Sequence, residues 1–473
     1  MMATLAQEFM ELLDHSVEIK ADTVHVKNEK TFRQKAYQLA EISALESGPR
    51  QGMARFITRA AALDLGIYLA SIHDLYMACG SGDVPPTFSV PAFNMRVLAF
   101  DAASAVFRVA LSMDTSAMIF EIARSEMNYT DQRPAEYSTS ILAAAISEGY
   151  RGPVFVQGDH FQVSAKKYAV DANAEIDSLK ALIREALAAG FFNIDVDTST
   201  LVDLSYTDIP SQQKLNIAVS SMLAGYIRSV EPAGVTISIG GEIGEVGGHN
   251  SNPEELHAYL GGFRDTFGKA DPGVVGLSKI SIQTGTSHGG VVLPDGSIAK
   301  VSVVFDTLIT LSRLARSEYG MGGAVQHGAS TLPEDLFSKF VDSETLEVHL
   351  ATNFTNMFFD HIPASFREEI YAYLREKSAA ERKPDMTDEQ FYYKTRKNSI
   401  GPFKAKSWHL PAAVKAEINQ AWESQFRKLF VSLNLAGTRK YVDRFIKPVS
   451  VMPDLKAYLG EAVAAEDVSD LAD

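Results

Sequence analysis

Residues 153–160 read Pro153-Val-Phe-Val-Gln-Gly-Asp-His160, a short apolar run with β-branched residues that closes on a glycine, an acid and an imidazole. A strand that is apolar on both faces lies buried between layers, which is the mark of a parallel sheet covered by helices. Its polar end marks the start of a loop. The same pattern recurs on either side of it. Phe88-Ser-Val-Pro-Ala-Phe-Asn94 and Ala117-Met-Ile-Phe-Glu-Ile-Ala123 precede it, and Phe192 to Asp197, Val235 to Glu242, Leu277 to Gly285, Gly323 to Gly328 and Glu347 to Asn353 follow. Helical patterns separate the runs. Asn94 to Asn353 spans about 260 residues, close to the roughly 250 typical of eight β/α units. The expected fold is therefore α/β, a (β/α)8 TIM barrel over residues 85–362. A doubly wound sheet would place Gly-x-Gly-x-x-Gly after its first strand, and none follows Asn94.

Outward from the barrel, residues 1–84 read as a helical N-terminal extension. Apolar positions recur at spacings of three and four through Leu5-Phe9-Leu12-Leu13, through Phe32-Ala36-Leu39-Ile42 and again from Phe56 to Met77. Residues 363–473 read as a helical C-terminal extension. It contains a basic segment, Lys394 to Lys406, expected as a solvated loop, and an acidic end, Glu466 to Asp473. Both extensions are expected to cover the barrel or to form the interface of a homo-oligomer, a dimer or larger.

Composition narrows the function. The chain has 473 residues, 46% hydrophobic and 22% charged, with Lys plus Arg at 44 against Asp plus Glu at 59 and a net charge of −15. That excess of acid argues against binding nucleic acid or an anionic membrane, both of which need concentrated positive charge. A phosphate-bearing substrate needs only a few local donors. The first sixteen residues contain acids and no apolar core of a secretory signal. Ala60 to Gly80, the most apolar long stretch, is interrupted by Asp64, His73 and Asp74, so no membrane span is expected and the cytoplasm is. The single cysteine, Cys79, forbids a disulfide framework and a thiolate zinc cluster, so any metal must use histidine and carboxylate.

Those residue types stand at the carboxyl ends of the runs, the face where barrels of this kind build their active sites. Run three ends in Asp159-His160, run four in Asp197 and run five in Glu242; Ser287-His288-Gly289-Gly290 follows run six, and run seven ends in His327-Gly-Ala-Ser330. A lone histidine at a strand end is usually only a satisfied polar residue. His160, His288 and His327 converging with Glu242 and Asp197 form a donor set suited to Zn2+ or another divalent transition metal, with an open position for catalysis. Asp159, alternating to the other side of its strand end, is the candidate proton donor and acceptor; its rival role is to orient a histidine. The glycine-rich loops at 285–290 and 327–330 suit a phosphate, through backbone N–H groups at Gly289, Gly328 and Ser330.

In this order the motifs resemble those of the class II, metal-dependent ketose-bisphosphate aldolases, the fructose- and tagatose-bisphosphate superfamily, over roughly residues 85–360. Val90-Pro-Ala-Phe-Asn94 resembles the first-strand motif, with Asn94 toward the substrate. Gln157-Gly-Asp-His160 matches the Asp-His pair, which implies Asp159 as acid/base and His160 as metal ligand. Val196-Asp197-Thr-Ser199 matches the fourth-strand Asp-x-Ser. Gly241-Glu-Ile-Gly-Glu-Val-Gly-Gly248 is similar to Glu-x-Gly-x-x-Gly-Gly, which implies Glu242 near the metal and a mobile loop after it. The segments around His288 and His327 supply the other ligands and the phosphate-binding backbone, with Thr352 as a further phosphate contact.

Three positions depart from the family pattern. His249-Asn250 stand where the family has acids, one of which moves a proton; His349 replaces a strand-eight Asn; and Glu121-Ile-Ala123 resembles the accessory branch of the tagatose-bisphosphate aldolases. The resemblance implies a lyase of carbohydrate metabolism that reversibly cleaves a phosphorylated ketose, similar to fructose 1,6-bisphosphate, to a triose phosphate and an aldehyde. His249 is the first candidate for the missing acid's role, with His349 and Glu245 behind it. A non-catalytic subunit that stabilises an aldolase partner, and a metal-dependent sugar-phosphate isomerase or epimerase, stay open at this level.

Overall fold

The computed structural model describes residues 2–20, 22–244, 249–270, 273–285, 293, 303–330, 332–459 and 470–471. Eight parallel strands close into a barrel: β1 (Val90–Asn94), β2 (Ile119–Ala123), β3 (Gly152–Gln162), β4 (Asn193–Asp197), β5 (Ser238–Glu242), β6 (Lys279–Ile282), β7 (Ala324–Gln326) and β8 (Glu347–Leu350). Each pairs with its successor, and β8 pairs with β1 through Val90↔Glu347 to Phe93↔Leu350. Each expected run holds one strand. The strands are buried almost throughout because helices cover their outer face while side chains fill the inside.

Part of the helical reading of residues 1–84 is corrected. Val17–Lys20 and Thr23–Val26 form an antiparallel hairpin. The pattern from Phe56 to Met77 is not one helix: Pro49–Asp64 is helical, Ile67–Ala70 is a strand, and His73–Ser81 is helical again. Ile67–Ala70 runs parallel to the first half of β3, from Ile67↔Gly152 to Ala70↔Phe155, whereas β3 meets β4 only from Gln157 onward. The short strand thus covers the edge of β3 that β4 leaves open. Four residues are too few for a period of two to be told from a helical stripe, and that is why the local pattern misread them.

The C-terminal segment belongs to the same core. Helix Ala412–Ser432 lays Phe426 and Phe430 against Phe93 of β1, at ring-centroid distances of 5.1 and 5.8 Å. Its Trp422 is fully buried, and the indole Nε1–H donates to the Phe354 carbonyl at 3.1 Å. The basic segment is not a solvated loop. It folds into short helical pieces, and Lys404 is buried, donating to the Asp131 carbonyl and pairing with Glu136 at 2.8 Å. Burial pushes Glu136 up to about 7 against the pull of Lys404. No helix among the described residues is long and apolar enough to cross a membrane.

Candidate active site

A β-bulge builds the centre of the site. Pairing of β3 with β4 slips between Gly158 and Phe161, and His160 sits within the slip at φ +39°, a conformation that few side-chain-bearing residues adopt. Gly158 is required there, because a Cβ would stand 2.4 Å from the Phe161 ring. An unbroken strand would send Asp159 and His160 to opposite faces. The bulge turns both inward, and the expectation that Asp159 lies on the other side of the strand end is corrected. Asp159 Oδ1 stands 4.0 Å from His160 Nε2 and 3.2 Å from His349 Nδ1.

Around this pair the strand ends deliver a compact, buried set. The rings of His160 and His327 are 4.3 Å apart between centroids, and those of His327 and His349 are 4.0 Å apart. His160, Glu242 and His327 present donor atoms within 4.8 Å of one another, as do Asp159, His327 and His349. Asp197 stands behind them. One of its oxygens accepts from the Ser199 N–H and hydroxyl at 3.0 and 2.6 Å, and the other accepts from Gln162 at 2.6 Å and lies 2.9 Å from His160 Nδ1. Both oxygens of Asp197, expected as a metal donor, are engaged by the chain, an arrangement suited to orienting His160. His327 Nε2 is 3.0 Å from the Ser281 hydroxyl. His288 and Gly289 lie outside the described residues.

Below this cluster is a layer that the strand ends alone did not reveal. Lys279 is wholly buried, with Nζ 2.6 Å from Glu347, 2.8 Å from Asp195 and 2.7 Å from the Gln157 side-chain oxygen. Glu347 accepts from Gln157 at 3.0 Å, takes the Tyr76 hydroxyl, and lies 2.7 Å from His349 Nε2. Glu121 accepts from Gln157 at 3.0 Å and stands 3.0 Å from His349 Nδ1. Gly240 makes room for the layer, since a Cβ there would stand 2.3 Å from an Asp195 oxygen and 2.9 Å from Lys279 Cε. The signal was available in the sequence. Gln157 and Asp159, Asp195 and Asp197, Glu347 and His349 repeat at the period of two that lines a barrel interior.

Acid outnumbers base in this interior, and protonation adjusts the balance. Burial, reinforced by Asp159, pushes Glu121 up to about 8; burial and Asp197 push Glu242 up to about 8; burial and Glu347 bring Asp195 to about 6 against Lys279. Burial alone would raise Glu347, but Lys279 and His349 outweigh it and hold that carboxyl well below the usual range. Burial disfavours charged imidazole, yet Asp159 and Glu242 hold His160, and Glu121 and Asp159 hold His349, well above the ordinary histidine value.

A prediction for the metal-free protein follows. Glu121 and Glu242 bind a proton more tightly folded than unfolded, so their stabilising effect is complete below about 4.3 and is lost as pH rises to about 8. His160 and His349 act in the same sense, whereas Glu347 and Asp197, both lowered, lose stability only as pH falls into the acid range. Urea unfolding of chelator-treated protein is therefore expected to give a lower midpoint at pH 8 than at pH 5. Equal or greater stability at pH 8 would contradict it.

The remaining candidates divide. Asn94 is buried and donates to Glu126, which also accepts from the Ala123 N–H at 2.8 Å and pairs with Arg96 at 2.6 Å; among the described residues the Asn94 side-chain oxygen has no hydrogen-bond partner. Gly328 has φ +69°, and the Ser330 hydroxyl accepts from the Ala351 N–H at 2.6 Å, tying the β7 loop to β8. Thr352 opens helix Thr352–His361. Beside them is a cavity of about 280 Å³ lined by Ser330, Leu350, Asn353, Asn356 and Gln425. His249 is not brought to the cluster. It is half exposed and paired at 2.5 Å with Glu255, in the first turn of helix Pro253–Ala270. Glu245 lies outside the described residues.

Residues 86–409 match the sequence profile described as fructose-bisphosphate aldolase class-II. The chain belongs to that family. The match of this class II aldolase family chain runs well past the barrel and into the C-terminal helices. No curated protein matches it in sequence. Among solved structures it is similar to a probable tagatose 6 phosphate kinase from Sinorhizobium meliloti 1021, at 16% identity and TM-score 0.53, covering 76% of this chain and 99% of that one. A putative fructose-1,6-biphosphate aldolase from Coccidioides immitis gives 16% identity, TM-score 0.46, and 78% and 97% coverage. The YdjI aldolase from Escherichia coli K12 gives 12%, 0.45, and 78% and 99%. At 16% identity the likeness to the Sinorhizobium meliloti chain is one of fold.

Proposed function

We propose that the chain is a metal-dependent aldolase that reversibly cleaves a phosphorylated ketose, similar to fructose 1,6-bisphosphate, to a triose phosphate and an aldehyde. The observation that carries this reading is the convergence of Asp159, His160, Glu242, His327 and His349 in one buried cluster at the carboxyl end of a class II aldolase barrel. Paired imidazole and carboxylate donors in an acid-rich interior fit a divalent transition metal such as zinc. His160, His327 and Glu242 would hold it, with His288 as the further donor. When bound, such an ion supplies Lewis acidity toward the ketose carbonyl.

The chain's own groups account for the proton transfers. Asp159 takes the proton from the hydroxyl on the carbon beyond the scissile bond. As the carbon–carbon bond breaks, that hydroxyl becomes the aldehyde, and the bonding pair stays with the phosphorylated three-carbon half. His349 delivers the proton that this half then needs, and condensation runs each transfer backward. Asp159 and the ionised Glu347, 3.2 and 2.7 Å from its two ring nitrogens, favour His349 in its protonated form for that task. His349 takes precedence over His249 because it contacts Asp159 and His249 does not. Backbone N–H groups at Gly328 and Ser330, and at the helix start at Thr352, suit the phosphate.

Exhaustive chelation is expected to abolish cleavage of a ketose-bisphosphate panel, and zinc, cobalt or manganese to restore it. Unchanged turnover after verified metal removal would end this reading. Purified protein that binds no transition metal and cleaves no ketose phosphate would favour the non-catalytic subunit.

A further inference from the structure

On the outside of the barrel, away from the strand ends that form the candidate active site, lies a cleft of about 830 Å³. Its walls come from helix Pro49–Asp64, the end of helix Ala172–Ala188, residues 230–232 ahead of β5, and the C-terminal residues 451–459. Three arginines line it. Arg55 and Arg59 are one helical turn apart on the same helix face, and Arg184 comes from the neighbouring helix.

None of the three has a carboxylate within ion-pair distance among the described residues. Arg55 donates to the hydroxyl and the carbonyl of Ser43, both at 3.0 Å. Arg59, only 5% exposed, donates to the Ala188 carbonyl at 2.5 Å and the Tyr458 hydroxyl at 3.2 Å. Arg184 donates to the Tyr226 hydroxyl at 2.5 Å. The two acids in the same walls are already engaged: Glu185 is held by Arg133, and Asp454 accepts from the Lys456 N–H at 2.9 Å. Arg59 is the buried one of the three, Arg55 is half-buried with Glu136 and Glu185 attracting it from beyond ion-pair distance, and Arg184 is exposed; a buried guanidinium such as that of Arg59 is ordinarily paired with an anion.

We propose that the cleft binds a nucleoside phosphate, with the arginines taking the phosphate and an apolar wall that includes Leu187, Val230 and Met452 taking the base and sugar. Guanidinium forks match phosphate oxygens two at a time. The volume is in the upper part of the range for small-molecule sites and leaves a triose phosphate mostly unsupported.

The test is calorimetric titration of the full chain with ATP, AMP and inorganic phosphate, repeated with Arg55→Gln/Arg59→Gln and with Ala188→Glu. Ala188 is exposed at the cleft wall, so a carboxylate there repels an anion without disturbing the core. The nucleotides are expected to bind once per chain and more tightly than phosphate alone, and each variant to weaken them at least tenfold. Binding is also expected to persist in Asp159→Asn, which separates this cleft from the barrel mouth. Absence of nucleotide binding, or affinity unchanged in Ala188→Glu and in the arginine variant, would overturn the proposal.

Discussion

Asp159→Asn is expected to lower the turnover number for ketose-bisphosphate cleavage by about 10²–10⁴-fold, the usual contribution of a positioned acid/base group. The side chain keeps its size, and its neighbours keep theirs. What is lost is an oxygen that can accept and return a proton at the substrate hydroxyl, 4.0 Å from His160 Nε2 and 3.2 Å from His349 Nδ1. Because the same group serves both directions, condensation of the two products should fall by the same factor while KM changes little. Steady-state assays in both directions, with circular dichroism to verify the fold, make the comparison. Turnover within tenfold of the parent would remove Asp159 from the mechanism.

Lys279→Met is expected to destabilise the protein by about 3–5 kcal/mol, the cost of leaving buried charge without its partner. Methionine replaces much of the stem, but Glu347 and Asp195 lose the cation that stood 2.6 and 2.8 Å away. Their remaining recourse is to bind protons, so the loss should be smaller at pH 5 than at pH 8. Pairing the change with Glu347→Gln removes one of the two orphaned charges and should restore part of the stability. Urea midpoints at constant m-value report the effect. A loss under 1 kcal/mol would mean that the buried layer is not a charge-compensated network.

Much of the barrel was legible because its signal is local. Each strand announces itself within six to nine residues, and the polar residue that ends a run names the face on which it opens. His160, Glu242 and His327, which the fold brings together, were read that way. Ile67–Ala70 was missed because four residues between two helices carry too little period to reveal a strand. Lys404 was misjudged for a related reason: a basic segment reads as solvated unless the acid opposite it is known, and Glu136 is 268 positions away.

The inner layer shows the same limit more sharply. Lys279, Asp195, Gln157 and Glu347 stand at alternate positions in their strands, so their inward facing could be read from the pattern. That Gln157 meets Glu347 across 190 positions, and Lys279 meets Glu347 across 68, could not. Closure of the ring puts β3, β6 and β8 around one axis, and no window of sequence contains that contact.

Residue pattern alone therefore decided the eight barrel strands, their closure and the strand ends proposed to carry chemistry, because alternation and strand-end polarity are properties of a few neighbouring residues. The folded chain decided which side chains meet. A one-residue bulge turned Asp159 and His160 to the same side, barrel closure brought His349 against Asp159 and His327, and a helix-start carboxylate drew His249 away. Each of these outcomes depends on where a distant segment arrives, and packing settles that only when the whole ring has closed.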